Sequence, residues 1–137
     1  MSEKTLTQSQ LSYLDAKPGI QLIKAGTYKL NELSVLRGTP ELKGQILDVP
    51  VTDKKQVLTM GYYALQPSVD YSAEFTFIEI KVVTKGKMVV RDVEGNKYVA
   101  EVGDVLVFSP NTTVIFDGES DGEVVYFKNV EANPSYL

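Results

Sequence analysis

Between Phe75 and Phe116, short apolar runs alternate with turn residues. FTFIEIKVVT is followed by Gly86, KMVV by Glu94-Gly95, KYVA by Gly103-Asp104, and VLVF by Ser109-Pro110-Asn111 and TTVIF. This pattern predicts strand, Gly turn, strand, Glu-Gly turn, short strand, Gly-Asp turn, strand, Ser-Pro-Asn turn, strand. Upstream, residues 57–65 (VLTMGYYAL) read as a strand, and the internal Gly61 marks a bulge or a close backbone approach. Residues 44–51 read as extended and run into Pro50 at a sheet edge. Downstream, the Gly118 to Gly122 segment reads as a flexible polar turn, and EVVYFKNV (123–130) as a last strand.

The first 18 residues are polar with scattered Leu6, Leu11, Tyr13 and Leu14. They predict an N-terminal arm, with room for a short helix from about Thr7 that Pro18-Gly19 would end. Residues 20–23 fit a short strand, and residues 28–36 either an extended arm or a short helix beginning near Asn31. Asp53-Lys54-Lys55 reads as a solvated turn. With eight to ten short strands and no long helical period, the chain predicts an all-β sandwich, jelly roll or barrel.

Composition narrows the chemistry. The 137 residues suit one domain, with 1–55 as arm and edge strands and 57–130 as the barrel core. A net charge of -4 and the lack of a basic run argue against a nucleic-acid surface. No stretch has the length of a membrane span, and the N-terminus lacks a signal-peptide apolar run, so a cytoplasmic location is expected. The sequence has no Cys and no His. Disulfides, thiolate metal sites, a Cys nucleophile and the usual neutral-pH general base are thereby excluded. Chemistry would rest on Glu, Asp, Lys, Tyr, Ser or Thr.

Glu79 followed by Gly86 resembles the end of the first cupin motif, and Gly103-Asp104, VLVF and Ser109-Pro110-Asn111 resemble the second. Asn111 stands where that motif has Gly, a sensible exchange because Asn tolerates a left-handed backbone. Within cupins the chain resembles the ethanolamine-utilisation, EutQ-like family. The resemblance is carried by Met60-Gly61-Tyr62-Tyr63, Ile78-Glu79-Ile80, Gly103-Asp104-Val105 and Val125-Tyr126-Phe127. It implies a double-stranded β-helix (a jelly-roll, or cupin, barrel) with an N-terminal arm. It also implies a link to acetate kinase activity and to microcompartments.

The positions of the metal-binding histidines in cupins fall here on Ser72 and Glu74, or on Ala73 and Phe75, and the last on Val114. Only Glu79 and Glu74 could ligate, so neither a metal site nor a cofactor is expected.

Strand alternation puts Phe75, Phe77, Glu79, Lys81 and Val83 on one face and Ile78, Ile80, Val82 and Thr84 on the other. Local hydrophobicity would bury the isoleucines and leave Glu79 and Lys81 in water. The cupin resemblance points Glu79, and with it Lys81, into the barrel. The apolar face would then need a cover, which predicts a homodimer.

Glu79 and Lys81 are the expected catalytic pair, Glu79 as acid, base or acceptor and Lys81 as a holder of anions. Glu74, Tyr62, Tyr63 and Tyr126 are the expected ligand contacts, with one of the two adjacent tyrosines facing inward. Lys85, Lys87 and Arg91 read as the rim of a hairpin at Gly86. The function expected first is metal-independent binding of an anionic or polyhydroxylated small molecule. An enzyme using Glu79 and Lys81 (lyase, isomerase or acetate kinase) and a scaffold protein are the alternatives.

Overall fold

A computed structural model of the chain describes residues 20, 22–24, 26, 28–51 and 57–137. The helix near Thr7 and the turn at Asp53-Lys54-Lys55 lie outside the described residues. The described residues form nine strands: β1 (Asn31–Glu32), β2 (Gly44–Pro50), β3 (Thr59–Leu65), β4 (Tyr71–Phe75), β5 (Glu79–Arg91), β6 (Lys97–Glu101), β7 (Val105–Phe108), β8 (Thr112–Phe116) and β9 (Asp121–Lys128). One helical turn, α1 (Leu33–Leu36), follows β1, and a 3-10 turn at Pro134–Tyr136 closes the chain. Residues 28–36 thus take both expected forms, with the helix beginning at Leu33 rather than Asn31. Of the strand expected over residues 20–23, Gln21 lies outside the described residues, Ile20 and Ile23 are not in a strand, and Leu22 makes an isolated bridge.

All pairings are antiparallel, in the order β1-β2-β3-β9-β5-β8-β4, with β6 and β7 also on β5. β5 organises this curled sheet. Its first half lies between β7 and β9, and its second half pairs with β6 and β8.

The expected turn at Gly86 does not form. β5 runs unbroken through it, so Lys85, Lys87 and Arg91 do not rim a hairpin there. Gly86 instead takes φ 63° inside the strand, where a Cβ would meet the Asp121 carbonyl oxygen at 2.0 Å. Only glycine allows β5 and β9 to cross this closely. One step earlier the pairing with β9 shifts register between Val83 and Lys85, which makes Thr84 the extra residue of a bulge. The bulge changes which parity faces inward. Glu79, Lys81 and Val83 are buried before it, and Met88 and Val90 join the core after it.

The main core fills the inside of the curl, with Tyr63, Phe75, Val83, Met88, Phe108, Phe116 and Tyr126 among its members. A second cluster lies on the outer face of β2 and β3. There Tyr28, Ile23 and Leu30 of the arm cover Leu47, Val49, Met60 and Tyr62. This cover explains why β2 is buried on both faces although only two-residue β1 flanks it. At the end of β7, Asn111 has φ 64°, the left-handed conformation expected of it.

Candidate functional site

The inner row of β5 carries the first charge pair. Glu79 and Lys81 are only 4% and 3% exposed, whereas Ile80 between them is 36% exposed on the outer face. The chain therefore follows the barrel expectation and not local hydrophobicity. Such burial is tolerable only if each charge has partners. Lys81 Nζ lies 2.7 Å from Glu79 Oε2. The same ammonium sits 4.4 Å from the ring centroid of Tyr63 and 4.6 Å from that of Tyr126, with Phe116 and Phe108 at 5.8 and 5.9 Å. The aromatic faces supply electrostatic attraction where water is excluded.

A second buried pair stands beside it. Lys128 Nζ donates to Asp48 Oδ2 at 2.6 Å, and the backbone N–H of Asn133 donates to the same oxygen at 2.8 Å. The Tyr126 hydroxyl donates to Asp48 and, at 3.1 Å, to the Leu47 carbonyl. Strand register brings these groups together. Lys128 pairs with Glu79 and Tyr126 with Lys81 across β9 and β5, and Gly61 lies between Asp48 and Tyr126. A Cβ on Gly61 would sit 2.2 Å from the Tyr126 ring and hydroxyl, so the missing side chain is what lets Tyr126 reach β2. The close approach anticipated at Gly61 is present, and no register shift accompanies it.

Neither Asp48 nor Lys128 is among the expected site residues. Two signals point to them: Asp48 is the lone charge in the otherwise apolar ILDVPV, and Lys128 shares parity with Val124 and Tyr126.

Of the two adjacent tyrosines, Tyr63 faces inward and its hydroxyl hydrogen-bonds that of Tyr71. Tyr62 faces the other way and stacks on Tyr28 at 6.2 Å, away from the inner cavity. The expected ligand contact at Tyr62 therefore has no counterpart in that cavity. Glu74 is exposed and borders the cavity. Tyr71 and Arg37, which were not anticipated, border it too, and the Arg37 guanidinium lies 5.1 Å over the Tyr71 ring.

Burial holds the phenols of Tyr63, Tyr71 and Tyr126 well above the ordinary range; Tyr71 adds to the rise at Tyr63 and Asp48 to that at Tyr126. All three are neutral hydroxyl groups near pH 7, able to donate and accept.

These groups surround a cavity of about 550 Å³ within the curl. Residues 130–134 and Tyr136 form one wall. The volume lies in the range of small-molecule sites. Phenylalanines 75, 77 and 116 supply apolar wall, while Glu79, the two lysines and the phenols supply polar contacts.

Where a metal-binding cupin carries its last histidine, Val114 is buried in the core opposite Ala73. Among the described residues no group of three or more Asp or Glu could hold a metal ion. No helix of the described residues is long and apolar enough to cross a membrane.

The family of the ethanolamine utilisation protein EutQ matches residues 1–133. The chain belongs to the EutQ family. EutQ from Salmonella typhimurium LT2 superposes with a TM-score of 0.69 at 17% identity, covering 81% of this chain and 86% of the other. Clostridium difficile EutQ gives 0.67 at 18%, covering 79% and 85%. An RmlC-like cupin from Shewanella frigidimarina gives 0.51 at 13%, covering 74% and 84%. At these identities the solved structures establish the fold, an all-β cupin barrel. No curated protein matches the sequence.

Proposed function

We propose that this EutQ-family cupin binds a small anionic or polyhydroxylated molecule inside its barrel, without a metal. One observation carries the reading: Glu79 and Lys81 share a cavity with Tyr63 and Tyr126, and a second ion pair, Asp48 with Lys128, stands beside them. Neutral phenols, ammonium groups and a carboxylate offer both donors and acceptors to a ligand rich in oxygen. The phenylalanine wall offers contact to its C–H groups. Binding in the cytoplasm agrees with a chain free of cysteine.

The same juxtaposition favours a second reading, in which Glu79 moves a proton and Lys81 holds an anionic group of a substrate. One experiment separates them. Calorimetry and turnover assays with sugar acids, polyols, carboxylates and phosphates compare the wild type with Glu79→Gln. Binding with no turnover of the bound compound supports the first reading, and turnover abolished in Glu79→Gln supports the second. No binding to a folded wild type removes both.

The protein is further proposed to act as a homodimer. Val107, Ile80 and Phe127 form one outer row across β7, β5 and β9, and Val105, Val82 and Val125 the next, while on β3 the arm already covers Met60 and Tyr62. Val107 is 56% exposed and Phe127 38%. The two rows carry no charge, so a twofold pairing brings no like charges together.

A further inference from the structure

The charges around the cavity are unevenly arranged. At the inner end the formal charges cancel in pairs, Glu79 with Lys81 and Asp48 with Lys128. That end is polar but carries no surplus positive charge to hold an anion. Arg37, at the end of α1, borders the same cavity, and among the described residues none of the ion pairs uses it. Its guanidinium is pinned over the Tyr71 ring, 5.1 Å from the centroid. A guanidinium lying over a ring keeps its N–H donors directed outward in its own plane, the geometry that grips a carboxylate. The Arg37 charge is also felt by the paired phenols of Tyr63 and Tyr71, where it opposes the rise that burial causes. Glu74 and Glu131, both exposed, border the cavity as well and would repel a second negative charge.

We infer that the ligand is a polyhydroxylated monocarboxylate, bound with its carboxylate outward on Arg37 and its hydroxyls inward toward Glu79 and Tyr126. The inference rests on the binding reading above and sharpens it. Inner pairs that are already neutral suit hydroxyls, which exchange hydrogen bonds without adding charge. A buried carboxylate there would face the Glu79 carboxylate. A phosphate, with nearly two charges, would meet the repulsion of Glu74 and Glu131 at the rim.

The test uses matched acid and alcohol pairs, gluconate with glucitol and threonate with threitol, and inorganic phosphate as a third probe. Each is titrated by calorimetry into the full chain and into Arg37→Gln, an exposed substitution that leaves the core untouched. At least one acid should bind the wild type about tenfold or more tightly than its alcohol, the worth of a charge-assisted hydrogen bond. Arg37→Gln should weaken that acid by a similar factor and leave the alcohol unchanged, and added salt should weaken only the acid. Equal affinity for acid and alcohol overturns the inference but leaves the binding reading standing. So does an acid affinity that Arg37→Gln does not alter, or phosphate binding more tightly than either acid. If neither acids nor alcohols bind the folded wild type, the inference falls together with the polyhydroxylated ligand.

Discussion

Tyr126 lies across the backbone of Gly61, with no room between them for a methyl group. The phenol passes over β3 to reach Asp48 and the Leu47 carbonyl on β2, so one strand is bridged by a side chain from its neighbour. Gly61→Ala must push Tyr126 aside and break both hydrogen bonds. Overpacking together with a lost buried hydrogen bond should cost about 2–4 kcal/mol, read as a lower denaturation midpoint. A variant as stable as the wild type would mean that Tyr126 has another resting position.

The Asp48–Lys128 pair should behave asymmetrically. Removing one partner, as in Lys128→Met, leaves a buried carboxylate without its cation and should cost about 3–5 kcal/mol. The double variant Asp48→Leu/Lys128→Met removes both charges and should recover much of that loss. A double-mutant cycle by chemical denaturation measures the coupling. Additive losses would argue that the two groups act independently.

Alkaline pH should reveal the three buried phenols. Tyr63, Tyr71 and Tyr126 have folded-state pKa values raised above the ordinary 10.0 by burial. In the unfolded chain they return to about 10. The stability they contribute is therefore full below about pH 10 and falls as pH climbs from there toward the folded-state values. Tyrosinate absorbance should rise smoothly for the exposed members of the eight tyrosines, and these three should ionise only together with unfolding. Ionisation of all eight before any loss of circular dichroism would contradict the burial.

The outer face predicts self-association. At micromolar concentration the wild type should elute as a dimer from a sizing column. Val107→Glu, a charge placed on an exposed strand position, should elute as a monomer with unchanged secondary structure. A wild type that is monomeric at high concentration would refute the homodimer.

Much of the barrel was legible in the chain because turn chemistry is local. Gly103 does adopt positive φ, and Asn111 takes the left-handed place its type allows. Gly61 was legible as a point of close approach, though not what approaches. Gly86 misled: a glycine at positive φ usually marks a turn, and here it marks a strand crossing beside Gly122. Alternation divided β5 correctly into two faces as far as Val83, before the bulge at Thr84 reverses the parity. It could not say which face is inside, because hydrophobicity favoured the isoleucines.

The sequence by itself determined the all-β class, the turns at Gly95, Gly103 and Asn111, the absence of imidazole and thiolate, and the shared face of Glu79 and Lys81. These follow from backbone geometry and side-chain type, which act within a few residues. Only the tertiary structure decided that this face is the inner one, that Tyr62 turns away while Tyr63 turns in, and that Lys128, held by Asp48 behind it, and Arg37 border one cavity. Strand register between segments as distant as β2 and β9 sets those contacts. The cost of burying a charge depends on partners that the local sequence does not contain.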